Sequence, residues 1–379
     1  MMKQLPDKLA KRLEQRLQNN ALRKLSVYNP TFDFSSNDYL GLAAAELNWS
    51  HKSHKLKGAA GSRLLTGNHK AYEVLEKQIC SFHKSQAALV FNSGYAANLG
   101  LLGAIGQRGD HIFYDALAHA SIRDGLQLTK ARSLKYRHND LMHLQQLLEE
   151  HKESTGTLYV VTESVFSMDG DSPDLEALVN LCERYEAYLI VDEAHALGVI
   201  GERGHGLVQA LQMQDRVFAR IVTFGKALGY HGAAVLGSEA LKSYLVNFAR
   251  SLIYTTALAE DMVYALADRY TWLSNSTEAI QEINKLHCNI ALLRSYIEKY
   301  GLNEYFIVSN SAIHSVIIPG NERVKALSDS LNEAGFGVLP ILAPTVPEGA
   351  ERLRICLHCY NESDSIELLA ERIASFLKD

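Results

Sequence analysis

The stretch Thr223-Phe224-Gly225-Lys226-Ala227-Leu228-Gly229 follows the apolar pair Ile221-Val222, so one lysine comes directly after a predicted β-strand. The flanking glycines allow the backbone of this loop to approach a flat ring or a phosphate closely. A lysine that is shielded from water there can be kept as a neutral amine, which forms a Schiff base with an aldehyde. Alone, however, a lysine between glycines more often lies in a solvated loop, so its meaning depends on the rest of the chain.

Short apolar runs alternate with helical patterns from about residue 85 onward. This alternation predicts an α/β fold with a large, doubly wound, mostly parallel sheet and helices on both faces. A second set of strands and helices near the carboxyl end predicts a smaller α/β domain. The predicted strands are 87–91, 111–114, 158–162, 187–191, 219–223, 314–318 and 352–358, and the predicted helices are 141–150, 175–185, 261–273, 324–334 and 363–377.

The amino-terminal segment is predicted to form an amphipathic helix, because leucines recur every four residues from Leu5 to Leu17 and Pro6-Asp7 is a helix start signal. We expect this helix to pack on the main body or on a partner subunit. The predicted division is an amino-terminal helix and arm (1–40), a large domain that would hold a bound ligand (41–275) and a small domain (276–379).

The bulk composition is that of an ordinary globular enzyme, with 379 residues, 47% apolar and 21% charged. The net charge of −5 gives no broad reason to bind nucleic acid or an anionic membrane, and no apolar run approaches the length of a membrane span. Five scattered cysteines suit a reducing cytoplasm. The segment Cys356-Leu357-His358-Cys359 resembles half of a zinc site, but no second pair accompanies it, so no metal is expected.

Polar residues gather just after the predicted strands, where ligands bind in doubly wound sheets. A helix start at Gly94 offers free N–H groups to a phosphate, and His119 could stack on a ring or carry protons. Asp192 could pair with a protonated ring nitrogen, and Lys226 could form a Schiff base. Each residue alone also fits a structural role, such as a turn glycine or a hydrogen-bonded histidine. In this order along the chain, the set is what pyridoxal phosphate (PLP) requires.

The tetrapeptide Asp192-Glu193-Ala194-His195 has a second interpretation, because Asp-Glu-Ala-His is also the metal-binding motif of a family of helicase ATPases. Such an enzyme needs a phosphate loop of the form G-x-x-x-x-G-K-[ST]. Gly225-Lys226 is followed by alanine and lacks the earlier glycine, so the ATPase interpretation is excluded.

The chain resembles the α-oxoamine synthase group of fold-type I PLP enzymes over nearly its whole length. The matching segments are Phe34-Ser35-Ser36-Asn37-Asp38-Tyr39-Leu40-Gly41-Leu42, Gly61-Ser62-Arg63-Leu64, Asn92-Ser93-Gly94-Tyr95-Ala96-Ala97-Asn98, Arg137-His138-Asn139-Asp140, Val165-Phe166-Ser167-Met168-Asp169-Gly170, Val191-Asp192-Glu193-Ala194-His195, Thr223-Phe224-Gly225-Lys226 and Ala343-Pro344-Thr345-Val346-Pro347. Ser164 and Ala59-Ala60 depart from the group, which bears on the shape of the acyl pocket.

The resemblance implies a role for each matching residue. Lys226 would be the Schiff-base lysine, Asp192 the partner of the pyridine nitrogen and His119 the ring stacked on the cofactor, and these three are the predicted catalytic residues. The resemblance also implies that His195 contacts the 3′ oxygen of the cofactor. The other implied cofactor contacts are Gly94, Tyr95, Ser167, Thr223, Thr255 and Thr256. Of these, Thr255 and Thr256 would reach a phosphate across a homodimer interface. The implied substrate contacts are Asn37 and His119, Arg354 for the amino-acid carboxylate, and Arg23 and Thr345 for the acyl group, although Arg23 could equally be a solvated helix residue.

Members of this group condense an amino acid with an acyl thioester and release carbon dioxide. The residues around Glu163, Gly232 and Tyr254 are most similar to the member that uses L-alanine and a pimeloyl thioester. Coenzyme A and a carrier protein are the two alternative carriers of that thioester. The alternatives are the threonine-catabolism relative, which uses glycine and an acetyl group, a fold-type I aminotransferase, and a non-catalytic scaffold. The lack of a long targeting extension or membrane anchor disfavours eukaryotic aminolevulinate and serine palmitoyl synthases.

Overall fold

The structure, a computed structural model, describes residues 5–23, 25, 27–45, 58–343 and 345–378, and the statements below concern these residues. Its helices are α1 (Asp7–Gln18), α2 (Lys70–His83), α3 (Gly94–Ile105), α4 (Ala120–Leu128), α5 (Leu141–His151), α6 (Leu175–Arg184), α7 (Leu207–Ala210), α8 (Glu239–Phe248), α9 (Arg250–Ile253), α10 (Glu260–Asn275), α11 (Thr277–Lys299), α12 (Asn321–Glu333) and α13 (Ser363–Lys378). Its strands are β1 (Phe32–Asp33), β2 (Ala87–Phe91), β3 (His111–Asp115), β4 (Arg132–Tyr136), β5 (Leu158–Glu163), β6 (Tyr188–Asp192), β7 (Ala219–Thr223), β8 (Ala233–Gly237), β9 (Ile313–Ile317), β10 (Phe336–Gly337), β11 (Leu339–Ile341) and β12 (Arg352–Cys356).

The chain divides into two compact units. The large unit comprises Asn37–Ser167 and Asp171–His287, and the small unit comprises Met1–Ser36, Met168–Gly170 and Cys288–Asp379. The amino-terminal segment therefore groups with the carboxyl-terminal residues. The division predicted from sequence, with limits at residues 40 and 275, stays a prediction.

The large unit is built on a sheet of seven strands in the order β2-β8-β7-β6-β5-β3-β4. Among these strands β8 alone is antiparallel to its neighbours, β2 and β7. Because β8 opposes both, β2 runs in the same direction as β7, β6, β5 and β3. The carboxyl ends of these five strands therefore share one edge of the sheet, and the predicted mostly parallel α/β fold is confirmed.

Two strands of this sheet are missing from the prediction. Strand β8 begins with Ala233-Ala234, which lack the β-branched or aromatic side chains typical of strands, yet it is buried between two partners. Strand β4 carries exposed Arg132 and Lys135 at the edge of the sheet, so its apolar signal is weak. The strands and helices that were predicted are present, with ends shifted by up to three residues.

Both faces of the sheet are covered, as the buried runs of its central strands require. Ile190 of β6 joins one apolar cluster with Leu101 of α3 and Ile122 of α4. The next residue, Val191, points to the other face and joins Leu178 of α6. This alternation holds the end of β6 firmly between two helical layers, so the loop that follows starts from a fixed position.

The small unit contains the antiparallel sheet β11-β12-β9 and the two-stranded parallel pair β1-β10. Its helix α1 confirms the helix predicted near the amino terminus, and none of the α1 residues is buried. The leucine stripe of α1 is therefore exposed, with Leu17 64% accessible. Across the described ranges, no helix combines the length and the apolar character that crossing a membrane would require.

Candidate active site

A cavity of about 230 Å³ opens in the large unit where the strand ends meet. It gathers side chains that are far apart in sequence, from the segments that follow β2, β3, β5, β6 and β7. The lining residues are Asn37, Ser93, Gly94, Tyr95, Asn98, His119, Ser121, Glu163, Asp192, Ala194, His195, Thr223, Gly225, Lys226, His231 and Gly232. His119, Asp192 and Lys226, which all follow predicted strands, therefore share one cavity.

Asp192 is the buried anchor of this cavity. It ends β6, is 4% exposed, and accepts hydrogen bonds from Asn98 Nδ2 at 2.8 Å and from the Ala194 backbone N–H at 2.9 Å. A buried carboxylate is costly unless donors surround it, and these two donors stabilise its charged form. An ionised acid held at this place can pair with a cation in the cavity, such as a protonated pyridine nitrogen.

His119 precedes α4 and caps its first turn. The Ser121 backbone N–H donates to His119 Nδ1 at 3.2 Å, and the Ser121 hydroxyl lies 2.8 Å from the same nitrogen. Because Nδ1 accepts, the neutral ring carries its proton on Nε2. Partial desolvation lowers the pKa of His119, and the Lys226 and Arg123 charges lower it further while Asp192 opposes them. The ring is therefore neutral near pH 7 and offers an uncharged face.

The start of α3 lies against the end of β7. Ser93 caps the helix by accepting from Ala96 N–H at 3.1 Å, and the first-turn N–H groups have no partner within the helix. A Cβ added to Gly94 would stand 2.5 Å from Thr223 Cγ2, so only glycine allows this approach. The arrangement forms a cradle of N–H groups suited to a phosphate.

Lys226 lies in a loop that β7 and β8 hold at both ends. Phe224 N–H donates to Gly232 O at 2.9 Å, and Tyr230 N–H donates to Phe224 O at 2.8 Å. Gly229 has φ +55°, and a Cβ there would collide with the Ala43 backbone nitrogen. A Cβ added to Gly225 would lie at ordinary van der Waals distance from Tyr230 O. Of these two glycines, therefore, Gly229 is the one that the loop conformation requires.

His195 is positioned by a buried tyrosine. Its Nδ1 lies 2.7 Å from the Tyr39 hydroxyl, which also lies 3.1 Å from Asn37 Oδ1. His195 is 4% exposed and Tyr39 is fully buried. The Tyr39 hydroxyl therefore fixes the His195 ring at the wall of the cavity.

Glu193 has a structural place in the tetrapeptide that also occurs in ATPases. It is fully buried, accepts from Val208 N–H at 2.9 Å and lies 3.7 Å from the Arg220 guanidinium. The Glu193 carboxylate is thus committed to an internal ion pair, which agrees with excluding the ATPase interpretation.

Eight lining residues are absent from the predicted site, namely Ser93, Asn98, Ser121, Glu163, Ala194, Gly225, His231 and Gly232. Glu163 ends β5 as Asp192 ends β6, so the rule applied to strand ends could have found it. Asn98 sits inside a helix, and its role depends on a contact with Asp192, 94 residues away. No local pattern reveals such a contact.

Some predicted site residues lie outside the cavity lining. Ser167, Thr255 and Thr256 belong to the large unit but are not among the lining residues. Asn92 Nδ2 donates to Thr256 O at 2.5 Å, which ties that segment to the chain just before α3. Arg23, Thr345 and Arg354 belong to the small unit, where Arg23 Nη2 donates to Thr345 Oγ1 at 2.9 Å. Pro344 of the matching motif lies outside the described residues.

A charged cluster secures the loop after β5. His138 Nδ1 lies 2.8 Å from Asp115 Oδ1, and its Nε2 lies 2.7 Å from Asp171 Oδ2. Burial lowers the pKa of His138, but the two carboxylates prevail and raise it to about 10. His138 is therefore an imidazolium at neutral pH that clamps β3 to residue 171. Phe166 packs edge-on against its ring and donates its N–H to Asp171 O.

The fold and the site define a class I or II aminotransferase-type enzyme, and the chain belongs to that family, whose model matches residues 29–373. Within it the chain is similar to the α-oxoamine synthases, as predicted. It is 40% identical to 8-amino-7-oxononanoate synthase of Chlorobaculum parvum, over 90% of this chain and 88% of the relative.

Two solved structures show the same likeness. The 8-amino-7-oxononanoate synthase of Francisella tularensis is 30% identical with a TM-score of 0.76, covering 92% of this chain and 98% of that chain. The serine palmitoyltransferase of Sphingomonas wittichii is 26% identical with a TM-score of 0.84, covering 98% of this chain and 97% of that chain.

The residues present fit PLP, the cofactor of this family. The cavity combines a buried carboxylate, a neutral imidazole, a primary amine and a helix start with free N–H groups. Asn98 Oδ1 is buried without a partner, so a polar group in the cavity would also satisfy the amide. These groups match the ring nitrogen, ring face, aldehyde and phosphate of PLP in turn.

Gly94→Ala should weaken PLP binding by about 1–3 kcal/mol, because the new methyl group overlaps Thr223 Cγ2 and displaces the start of α3. The matched variant Gly94→Ala/Thr223→Ser removes the opposing methyl group and should recover at least half of the lost binding free energy. Fluorescence titration of the apoproteins with PLP measures both. Equal binding by the single and double variants would contradict the steric account.

The His138 cluster should make stability depend on pH. Because the pKa of His138 is raised to about 10, its contribution is complete below the ordinary pKa of about 6.5 and is lost as the pH rises through 10. Urea unfolding of the wild type and His138→Asn at pH 6, 8 and 10 should show a difference that shrinks by on the order of 2 kcal/mol over this range. His143→Asn, on α5, is the control. A pH-independent difference would contradict the charged clamp.

Proposed function

We propose that this protein is a PLP-dependent acyltransferase that condenses L-alanine with a pimeloyl thioester and releases carbon dioxide. The product would be 8-amino-7-oxononanoate, an intermediate of biotin biosynthesis. The observation that carries the proposal is the single cavity in which Asp192, His119 and Lys226 meet the start of α3. Relatives named 8-amino-7-oxononanoate synthase are 36–40% identical over most of the chain, and they support this reaction among those of the α-oxoamine synthase group.

The proposed chemistry divides between the cofactor and the chain. When bound, PLP supplies an electron sink that stabilises negative charge at the amino-acid Cα. The Lys226 amine would hold the cofactor aldehyde and then move the Cα proton. Asp192, which accepts hydrogen bonds from Asn98 Nδ2 and Ala194 N–H, would hold the pyridine nitrogen protonated.

Two histidines would act at the other groups of the cavity. His119 carries its proton on Nε2, as a neutral ring that can stack on the cofactor and donate to the acyl oxygen. His195, held at Nδ1 by Tyr39, would contact the cofactor's 3′ oxygen. Arg354 would hold the amino-acid carboxylate through a two-pronged hydrogen bond, and Arg23 and Thr345 would contact the acyl chain.

A cytoplasmic location fits this proposal. All five cysteines of the chain are free thiols, as expected for a protein in a reducing compartment.

The reaction can be tested with a panel of L-alanine, glycine and L-serine against pimeloyl-, acetyl-, succinyl- and palmitoyl-CoA. Thiol release and carbon dioxide should be highest with alanine and pimeloyl-CoA, by at least tenfold in kcat/KM over the next pair. Lys226→Ala, the control, should lose at least about 10³-fold in rate. Preference for glycine and acetyl-CoA would favour the threonine-catabolism reaction. Amino transfer to a keto acid without thiol release would reveal an aminotransferase.

We further propose that the protein acts as a homodimer with residues shared across the interface. The support is the exposed apolar surface, which includes Leu65 at 80% and Tyr254 at 72% accessible as well as the leucine stripe of α1. Tyr254 precedes Thr255 and Thr256, which the family resemblance assigns to the phosphate of the neighbouring subunit.

Mixing two inactive variants tests this sharing. Lys226→Ala supplies intact threonines, and Thr255→Val/Thr256→Val supplies an intact lysine, so a hybrid dimer has one complete site only if the two come from different subunits. Random exchange should restore about a quarter of wild-type activity, because half of the dimers are hybrid with one of two sites intact. Exchange of Lys226→Ala with itself is the control. No recovery in verified hybrids would show that the threonines serve their own subunit, or no site.

A further inference from the structure

Glu163 is a buried acid in the cavity to which no role has been given so far. It is the last residue of β5, is 2% exposed, and lines the cavity with Asp192 and Lys226. Its Oε1 accepts a hydrogen bond of 2.7 Å from the backbone N–H of His119. This bond joins the end of β5 to the start of α4, which carries the His119 ring.

The sheet register forces Glu163 beside a second acid. Strands β5 and β6 are parallel, and Glu163 pairs directly with Asp192. Adjacent strands lie about 4.8 Å apart, so two ionised carboxylates here would repel strongly in a buried setting. One of the two acids must therefore hold a proton at neutral pH unless a cation lies between them.

The hydrogen bonds decide which acid is protonated. Asp192 accepts from Asn98 Nδ2 and from Ala194 N–H, whereas among the described residues the Glu163 carboxyl group accepts from the His119 N–H alone. Burial raises the pKa of Glu163 to about 8, with Asp192 and Asp115 adding to the rise and His119 N–H and the Lys226 charge opposing it. The negative charge is therefore concentrated on Asp192.

We propose that Glu163 is a positioning residue that works as a neutral carboxylic acid: one oxygen fixes His119 at the cavity wall, and its lack of charge leaves Asp192 as the anion of the pair. The inference rests on the proposed PLP function for its consequence, since Asp192 is the partner of the pyridine nitrogen. An ionised Glu163 would place a second negative charge beside that nitrogen and beside Lys226, and would change the protonation of the bound cofactor.

The protonation state can be tested without the cofactor. Infrared difference spectra of the apoprotein, wild type minus Glu163→Gln at pH 7, should contain the carbonyl band of a protonated carboxyl group. The band should give way to a carboxylate band as the pH rises above about 8. A carboxylate band at pH 7 would overturn the inference even if the protein proved to have another cofactor, so this outcome is separate from failure of the proposed function.

The positioning role can be tested by PLP titration of the same apoproteins. Glu163→Gln keeps an oxygen acceptor and neutrality, so its Kd should stay within about threefold of wild type. Glu163→Leu removes the acceptor and should weaken binding at least tenfold. The pH midpoint of the bound cofactor's visible absorbance should not move in Glu163→Gln by more than about 0.3 unit.

Two outcomes of the titration overturn the positioning role. Equal and large losses in the Gln and Leu variants would mean that the charge of Glu163 is needed, and wild-type affinity in both would mean that the His119 bond has no effect on the site. Glu163→Ala replaces the Leu variant if circular dichroism shows that the latter is unfolded.

Discussion

The parallel register of β5 and β6 sets the electrostatics of the whole site. It places Glu163 and Asp192 side by side at the buried edge of a sheet, where water cannot screen them. Asn98 reaches from α3 to Asp192, and His119 N–H reaches from the start of α4 to Glu163. The two helices that frame the cavity are thus bound to the two acids. Moving one of these strands by one residue would turn its carboxylate to the opposite face of the sheet and separate the pair.

The sheet also explains why the lysine loop and the phosphate cradle lie together. Strand β8 enters between β2 and β7 in the opposite direction, so the segment that links β7 to β8 must turn at the carboxyl edge. Lys226 is in that turn. Ala233 and Ala234 are buried in β8, and Gly94 lets α3 begin against Thr223. Close packing of these elements places the Lys226 amine near the start of α3.

Much of this architecture is readable from the sequence because the signals are local. The bounds of β2 follow from its uninterrupted apolar run, and β7 is marked by the apolar pair Ile221-Val222. His119, Asp192 and Lys226 follow from their positions after strands. What the sequence could not reveal depends on partners far along the chain. Strand β8 is a strand because of its two neighbours, and Asn98 matters because of Asp192. The position of Glu163 at the end of a predicted strand can be read from the sequence. Its neutrality depends on the β5–β6 register, which only the folded sheet defines.

The tetrapeptide that begins with Asp192 shows why a motif takes its chemistry from its fold. Its second residue, Glu193, is drawn inward by Arg220 and by the Val208 N–H, while Asp192 and His195 face the cavity. Burial raises the pKa of the Glu193 carboxyl group, while the Arg220 charge and the Val208 N–H oppose that rise. The backbone N–H of Glu193 donates a hydrogen bond to Ile221 O, which fixes the loop to β7. In an ATPase the same four residues could bind a metal. Here they place one acid and one histidine in the same cavity as Lys226, because the lysine lies in the loop that follows the neighbouring strand β7.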